Sequence, residues 1–298
     1  MELRHLRYFV AVAEELHFTR AAERLHIGQP PLSQQIQALE QELGVELLAR
    51  SKRRVSLTEA GKRFLVSARR ILAEADQAAD DARRAARGEL GELRIGFSSS
   101  VPFTSMLPRL LHDYRQAHPQ VTLTLREMFA VEQMEALRAD KLDIGLVRHS
   151  GLEHPADLEF HEIRQDPLRV AINAGHPLAS RAILQMSDLR DEGFIGYPPG
   201  TGSGFTLQLH RLCLAAGFAP RVVQEAREIT TQIGLAAAGL GIAVLPAPFE
   251  CIKIDGVRYV PLADDGAYLA LAVATRRLAP SPLVGGFLES LWTLTAST

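Results

Sequence analysis

A single uninterrupted helical pattern, from about residue 59 to residue 87, divides the chain into two unequal parts. Thr58 can cap the start of this helix, and Gly88 and Gly91 break it. Apolar residues recur along it at alternating three- and four-residue steps, at Leu65, Ala68, Leu72, Ala75, Ala79, Ala82 and Ala86. Such a seam, sustained for three heptads, predicts pairing with the same helix of a second chain. The alternative is an amphipathic helix that packs on its own domain.

The two parts differ in charge. Residues 1–90 hold 15 Lys and Arg against 13 Asp and Glu, and residues 91–298 hold 18 against 22. The formal net charge of −2 therefore argues against broad coating of nucleic acid, but it leaves room for a small basic module. The two cysteines, Cys213 and Cys251, have no CxxC spacing, and the N-terminal residues do not follow a signal-peptide pattern. We expect no disulfide framework, no metal, no cofactor and a cytoplasmic location.

Three short helical patterns precede the long helix. The first follows apolar spacing from Leu6, and the second is expected to begin with Thr19 as its N-cap. In the turn that follows, at residues 26–29, Gly28 supplies the glycine that a sharp corner between helices needs. Pro30 then lies in the first turn of a third helix, where its missing N–H does no harm. The pattern predicts a helix-turn-helix.

The third helix and the residues after it have the composition of a DNA-binding module. Ser33, Gln34 and Gln37 share one uncharged face, and Gln can pair bidentately with adenine. Two short strands are predicted after Gly44, around a tip that carries Arg50, Lys52, Arg53 and Arg54. In this geometry the helix enters the major groove and the basic wing meets phosphates or the minor groove. The alternative is a three-helix bundle with a solvated basic loop.

Four short motifs follow one another in this segment: Phe18-Thr19-Arg20-Ala21-Ala22, Gln29-Pro30-Pro31-Leu32-Ser33, Leu39-Glu40 and Leu57-Thr58-Glu59-Ala60-Gly61. In order and spacing they resemble the winged helix-turn-helix of LysR-type transcriptional regulators. The resemblance implies a homodimer or homotetramer that binds double-stranded promoter DNA and contacts RNA polymerase. It implies base or backbone contacts from Gln29, Pro30, Pro31, Ser33, Gln34 and Gln37, and phosphate or minor-groove contacts from Arg50, Arg53 and Arg54. The predicted DNA-binding set also includes Thr19, Arg20 and Lys52. Position 34 is often Arg in related regulators, so part of their base preference does not carry over.

Strands and helices alternate beyond Gly91. Strand patterns at 93–97, 121–125 and 142–147 alternate with helical patterns near 106–118 and 132–139, and a second set occupies 168–245. This order predicts an α/β fold with doubly wound sheets and a cleft between two subdomains. Residues 229–249 carry no charge over 21 positions, but their Gly, Pro and Thr content favours a helix, a turn and a strand over a membrane span.

This region resembles the LysR effector domain, which is similar to periplasmic binding proteins. We therefore expect three domains: a winged helix-turn-helix at 1–58, a linker (dimerisation) helix at 59–90 and an effector-binding domain at 91–298. Within the last, subdomain I is expected at about 91–162 and 267–298, and subdomain II at about 163–266. The implied architecture is that of a cytoplasmic DNA-binding regulator with no membrane contact.

Two turns have the composition of a ligand site. Ser98-Ser99-Ser100 follows the first strand, and a glycine-rich turn at 200–204 precedes Phe205. Ligands of such sheets bind beyond the carboxyl ends of strands, against helix N-termini. The two turns are therefore expected to clamp a carboxylate from both sides, with Phe205 against an apolar or aromatic body.

Tyr197-Pro198, Glu225-Ala226-Arg227-Glu228 and Ala237-Ala238-Gly239-Leu240-Gly241-Ile242 resemble regulators of aromatic-acid catabolism. That resemblance and the two turns place the effector against Ser98, Ser99, Ser100, Ala130, Arg148, Thr201, Gly202, Ser203 and Phe205. Ala130 departs from a Thr seen in some relatives, which disfavours a muconate-like ligand. Arg148 can equally be a structural ion-pair residue.

No catalytic residue is predicted. The chain has no GxSxG or HExxH motif, and His161-Glu162 lacks the second His of a zinc site. No base is evident beside Ser98, Ser99 and Ser100, so anion binding is favoured over nucleophilic catalysis. The alternatives to a regulator are an enzyme and a solute-binding protein, and a DNA-binding module disfavours the second.

Overall fold

The chain folds as two units, Met1–Arg84 and Ala85–Thr298. A computed structural model describes residues 1–51, 54–150, 153–201, 203–278 and 280–296. Apolar stripes at helical spacing dictate the first unit, and short apolar runs separated by helices dictate the second. The described elements of the first unit are α1 (Leu3–Glu15), α2 (Phe18–Arg24), α3 (Gln29–Leu43), β1 (Leu48–Ser51), β2 (Arg54–Leu57) and α4 (Glu59–Ala86), the last of which ends in the second unit.

One apolar core joins the elements of the first unit. Phe9 of α1 is fully buried, and its ring meets that of Phe64 of α4 edge to face at 5.1 Å. Leu32, Ile36 and Leu39 form the buried stripe of α3 and pack into the same core. Strands β1 and β2 pair antiparallel, as a wing between α3 and α4.

Two local predictions in this unit are wrong. Thr19 does not cap α2: the helix begins at Phe18, and His17 is the N-cap, whose Nδ1 accepts the backbone N–H of Arg20 at 3.4 Å. Gly28 does not supply a left-handed corner, because its φ is −71°. The left-handed residue is His26, with φ of 54°. By contrast, Thr58 caps α4 as predicted, since its Oγ1 accepts the N–H of Gly61 at 2.9 Å.

The second unit holds two α/β subdomains. Subdomain I consists of β3 (Gly91–Phe97), α5 (Met106–Ala117), β4 (Val121–Glu127), α6 (Ala130–Arg138), β5 (Ile144–Arg148) and α9 (Pro282–Ala296). Strands β6 (Leu158–Asn173) and β11 (Tyr268–Arg276) connect it to subdomain II, which consists of β7 (Gly193–Gly196), α7 (Gly204–Ala215), β8 (Arg221–Glu225), α8 (Ile229–Ala237), β9 (Ala243–Pro246) and β10 (Val257–Pro261).

Each subdomain buries apolar residues on both faces of its sheet. In subdomain I, α5 and α9 cover one face and α6 covers the other. In subdomain II, α7 and α8 lie on opposite faces. The strand order is β10-β6-β11-β5-β3-β4, with β9 also paired to β6, and a separate parallel pair β7-β8. The predicted pattern of a sheet between helices is therefore present twice.

Strands β6 and β11 run through both subdomains. Residues 158–167 of β6 pair antiparallel with β11, whereas residues 168–173 pair with β9 and β10 of subdomain II. A β-bulge interrupts the β6–β11 register between Leu271 and Ala272, opposite Ile163. The sequence predicted only the apolar part of β6, residues 168–172, so the first ten residues of this connection were missed.

The uncharged stretch 229–249 contributes α8 and β9 of subdomain II. No helix in the described part of the chain is long and apolar enough to span a membrane.

Candidate effector cavity and DNA-binding surface

A cavity of about 310 Å³ opens between the two subdomains. Most of the residues that the sequence predicted for an effector line it, namely Ser98, Ser99, Ser100, Ala130, Arg148, Ser203 and Phe205. Thr201 does not line the cavity, and Gly202 lies outside the described residues. Sequence reasoning missed the remaining lining residues, which are Glu127, Met128, Phe129, Glu132, Tyr197, Gly204, Arg227, Glu228, Ile229, Pro246, Phe249 and Leu269.

Three helices begin at this cavity. The first residues of α6, α7 and α8, which are Ala130, Gly204 and Ile229, all line it. The first N–H groups of a helix have no partner within the helix, and the helix dipole is positive there. Ser203 and Glu228, the N-caps of α7 and α8, make no side-chain capping bond. The cavity therefore presents N–H groups to an anion.

The serines after β3 are held by buried groups. Ser98 Oγ accepts Gln133 Nε2 at 3.3 Å and the backbone N–H of Arg148 at 3.4 Å, and Ser100 Oγ accepts Arg148 Nε at 2.9 Å. Ser99 lines the cavity together with Tyr197 of the other subdomain. No histidine is found among the described lining residues, so nothing in them resembles a serine nucleophile with its base.

Arg148 sits in a buried ion pair at the back of the cavity. Its Nη2 donates to Oδ2 of Asp166, Nη1 donates to the carbonyl of Leu269 at 2.9 Å, and Arg164 donates to Oδ1 of Asp166 at 2.8 Å. Burial lowers the pKa of Arg148, and the Asp166 carboxylate opposes that effect. The charge of Arg148 is therefore largely matched within the protein, which favours the structural role that the sequence left open.

Aromatic and aliphatic side chains form the rest of the wall. Phe205, Phe249 and Leu269 are buried and line the cavity. The ring of Tyr197 meets Phe205 at 6.3 Å and Phe129 of subdomain I at 5.6 Å, edge to face in both cases. An apolar body of one ring can pack against this wall while its polar end reaches the helix N-termini.

Two buried glutamines hold the loops at the cavity, and sequence reasoning missed both. Gln133 occupies the fourth position of α6, and its Nε2 donates to the carbonyl of Met128 at 3.0 Å. Gln232 occupies the fourth position of α8, and its Nε2 donates to the carbonyl of Ala226 at 2.9 Å. Each amide therefore fixes the loop that precedes its own helix. The glutamine at the fourth position of both helices was the available signal.

In the first unit, α3 presents the predicted polar surface. Gln29, Pro30, Pro31, Gln34 and Gln37 are exposed and Ser33 is half-buried, on the side opposite the buried stripe. Pro30 and Pro31 lie in the first turn, where a missing N–H costs no helical hydrogen bond. This end of α3 is therefore uncharged and open to a groove of DNA.

The wing is fastened to α3 through Glu40. Its Oε1 accepts the N–H groups of Leu47 at 2.9 Å and Leu48 at 3.0 Å, and its Oε2 accepts Arg50 Nη2 at 2.5 Å. Arg50 also stacks over the ring of Phe18 at 5.3 Å. The charge of Arg50 is thus already paired within the unit. Arg54, Thr19 and Arg20 are exposed, and Lys52 and Arg53 lie outside the described residues.

The seam of α4 has two different environments. Ala68 is fully buried, and Leu65 and Leu72 are half-buried against the core of the first unit. Ala75 is half-buried, whereas Ala79, Ala82 and Ala86 are exposed. The first half of the seam therefore packs on its own unit, as in the alternative that the sequence allowed, and the second half presents an open alanine face.

No group of three His, Cys, Asp or Glu side chains within the described ranges is placed to hold a metal ion.

Comparison with known proteins gives matches over nearly the whole chain. Residues 3–62 match the bacterial regulatory helix-turn-helix protein, lysR family, and residues 86–295 match the LysR substrate binding domain. The HTH-type transcriptional regulator YnfL of Escherichia coli (strain K12) is 48% identical over 267 residues, covering 90% of this chain and 89% of that protein. BenM of Acinetobacter baylyi (strain ATCC 33305 / BD413 / ADP1) is 40% identical over 293 residues, covering 98% and 95%.

Solved structures match the fold. Full-length CbnR complexed with its target DNA has a TM-score of 0.84 and 32% identity, covering 99% of this chain and 100% of that one. The BenM effector binding domain with its effector benzoate has a TM-score of 0.62 and 31% identity, covering 70% of this chain and 93% of that one.

Proposed function

The chain belongs to the LysR family, and we propose that its effector is a small aromatic carboxylate. The chain is a DNA-binding transcriptional regulator with an effector-binding domain rather than an enzyme. The observation that carries the proposal is the meeting of three helix N-termini at one cavity with an aromatic wall. The carboxylate lies against Ser99, Ser203 and the N–H groups of α7, and the ring packs on Phe205 and Phe249.

The size of the cavity favours a ligand with one ring. Small-molecule sites generally enclose about 300–1,000 Å³, and this one, at about 310 Å³, is at the lower end. BenM, whose effector-binding domain was solved with benzoate, offers a precedent for such a ligand. Thr201 has no part in the proposed site. Arg148 acts there mainly by holding Ser100.

Calorimetric titration of the full-length protein tests the effector proposal. We expect benzoate to bind and benzamide, which lacks the charge, to bind at least about tenfold more weakly. Ser203→Ala removes a cavity hydroxyl without breaking a capping bond, so it should weaken benzoate about tenfold. The matched control is Ser180→Ala, on an exposed turn outside the cavity. A sugar or a simple cation that binds when benzoate does not would overturn the proposal.

We propose that the exposed N-terminal end of α3 contacts base edges and that the wing contacts phosphates. The DNA-bound structure of CbnR supports this assignment by similarity. In mobility assays with an operator selected from a random-sequence pool, Gln34→Ala should lower the preference over unrelated DNA. Arg53→Ala should weaken binding to both the operator and unrelated DNA. It should also reduce, by about 1, the slope of the logarithm of the binding constant against the logarithm of the salt concentration. Arg115→Ala, an exposed charge on α5, is the control. Undiminished DNA binding by both variants would contradict the assignment of α3 and the wing as the DNA-binding surface.

We also propose that the domains keep the predicted boundaries at 58/59 and 90/91, and that the exposed seam of α4 pairs two chains as the basis of a homodimer or homotetramer. Ala79, Ala82 and Ala86 allow close approach of a partner helix. Light scattering should show Ala82→Glu shifting the protein toward monomer. Ala73→Glu, on the opposite side of α4, should not. Contact with RNA polymerase is proposed from the family alone.

A further inference from the structure

Two carboxylates face the cavity from opposite subdomains. Glu127 is the last residue of β4 in subdomain I, and Glu228 is the N-cap of α8 in subdomain II. Both line the cavity. Because β4 and α8 belong to different subdomains, a group that binds between these carboxylates contacts both sides of the cleft at once.

Neither carboxylate has a partner among the residues that the structure describes. No Arg, Lys or His in that part of the chain forms an ion pair with Glu127 or Glu228, and no side-chain hydrogen bond reaches them. Arg227, next in sequence to Glu228, instead places its guanidinium over the ring of Phe129 at 5.9 Å. By contrast, Glu132, the other acid of the cavity, accepts the backbone N–H of Phe129 at 2.8 Å.

The two acids act on each other and on Tyr197. Burial raises the pKa of Glu127, and the negative charge of Glu228 raises it further. Burial likewise raises the pKa of Tyr197, with smaller contributions from Glu228 and Glu127. These shifts agree with the lining pattern in placing the three groups together. Both carboxylates are exposed, so a ligand that covers this end of the cavity removes water from two like charges and is favoured when it carries a cation.

The cavity is therefore bipolar. The N-terminus of α7 and the serine hydroxyls favour an anion, whereas Glu127 and Glu228, the second of which is the N-cap of α8, favour a cation. The cations Arg148 and Arg164 share Asp166 at the back of the cavity, so they do not neutralise Glu127 and Glu228. A purely anionic ligand with a charge at each end would meet repulsion at the second end.

We propose that the effector is zwitterionic, with a carboxylate at Ser203 and the N-terminus of α7 and a protonated amine between Glu127 and Glu228. This inference rests on the proposed carboxylate function and narrows its ligand class. The amine bridges the two subdomains and removes their mutual repulsion at this edge. Ligand binding then favours the arrangement in which β4 and the start of α8 are close, which is the differential affinity that an effector needs.

Titration calorimetry of the full-length protein at pH 7 tests this ligand class. The probes are benzoate, 3- and 4-(aminomethyl)benzoate, terephthalate and benzylamine. We expect one aminomethylbenzoate to bind at least tenfold more tightly than benzoate, and terephthalate to bind more weakly than benzoate. Equal affinities for benzoate and both amines would overturn the zwitterion while leaving the carboxylate site intact. If no carboxylate binds, the proposed function fails as well.

Charge-removing variants separate recognition from folding. Glu127→Gln and Glu228→Gln should each remove most of the tenfold preference for the amine, and both should tighten benzoate by a few fold, because a repulsive charge is lost. A merely structural role would weaken both ligands together. Glu225→Gln, on β8 three residues from Glu228 and outside the cavity lining, should keep the preference. Full preference for the amine in the Glu127→Gln/Glu228→Gln double variant would contradict the inference.

Discussion

The guanidinium of Arg148 and the carboxylate of Asp166 form an ion pair of 2.5 Å in which the two side chains are only 5% and 1% exposed. Arg164 binds the other carboxylate oxygen and is 35% exposed. Asp166 thus has a second cation if Arg148 is removed, whereas Arg148 has no second carboxylate within the described contacts. The two partners are therefore not equivalent.

We expect Asp166→Ala to lower the free energy of unfolding of the second unit by about 3–5 kcal/mol, because it leaves a buried guanidinium unpaired. Arg148→Ala should cost less, since Asp166 keeps Arg164. Trp292, the only tryptophan, lies in α9 of the second unit, so urea unfolding followed by its fluorescence reports on this unit. Asp113→Ala, which breaks an exposed pair with Arg109, is the control and should change stability by less than about 1 kcal/mol.

Gly61 allows α4 to lie directly on the wing. A Cβ at this position would stand 2.0 Å from the carbonyl oxygen of Leu47 and 2.9 Å from its carbon, and backbone cannot move aside as a flexible side chain can. We expect Gly61→Ala to destabilise the first unit by at least about 1–3 kcal/mol and to weaken operator binding by displacing the wing. Circular dichroism and mobility assays measure the two effects.

Gly286, within α9, provides the matched control for this prediction. A Cβ there meets nothing within 4 Å, so Gly286→Ala should stabilise its helix by about 0.5–1 kcal/mol. Loss of stability in Gly286→Ala, or wild-type stability in Gly61→Ala, would show that the backbone contact does not decide the outcome.

The Asp143 carboxylate predicts a pH dependence of stability. Burial by itself raises its pKa, but hydrogen bonds from Arg94, at 2.7 and 2.9 Å, outweigh burial and hold the pKa below its usual value. A carboxyl whose folded pKa is depressed contributes stability that is present above the unfolded pKa of about 3.9. That contribution is lost as pH falls through the folded pKa.

Asp143→Asn should therefore melt below wild type at pH 7, and the difference should shrink as pH falls below about 4. Melting temperatures from Trp292 fluorescence between pH 3 and pH 7 measure it. A deficit that stays constant over this range would mean that packing, rather than charge, accounts for the role of Asp143.

The two cysteines should react very differently. Cys213 is fully buried in α7, and burial raises the pKa of its thiol to about 12, whereas Cys251 is exposed. Because the thiolate is the reactive form, Ellman's reagent at pH 8 should titrate one thiol in the folded protein and two in denaturant. Cys251→Ser should abolish the fast reaction, and Cys213→Ser should leave it unchanged. Fast reaction of both thiols would contradict the burial of Cys213.

Local sequence patterns predicted the helix-turn-helix and most of the α/β elements. The stripe Leu32, Ile36 and Leu39 defines the buried side of α3 without any knowledge of its neighbours. Strand β6 was only half predicted for the opposite reason. Its first ten residues are mostly polar, carry several charges and include Pro167, and such a strand becomes evident only through its pairing with β11.

The cavity residues likewise divide into those that local sequence could predict and those that only tertiary packing brings together. Ser98 and Ser203 were predictable because each stands next to the end of a strand or the start of a helix. Phe249, on a short turn after β9, and Glu127 meet at the cavity only through tertiary packing. Glu228 carried a weak local signal, since it precedes α8 in a segment that the sequence had singled out by resemblance. Hydrogen-bonded glutamines such as Gln133, which lies among charged residues in α6, have no distinct local signature.

The shared strands β6 and β11 set the mechanics of the effector response. They are hydrogen-bonded to each other from Tyr268 to Arg276, and both enter subdomain II. Rotation of one subdomain against the other must therefore twist this ribbon of two hydrogen-bonded strands. The bulge opposite Ile163 interrupts the pairing of the two strands, so we expect deformation to concentrate there. Because paired strands resist twisting, we expect small, reversible rotations of the subdomains that relax when the effector leaves.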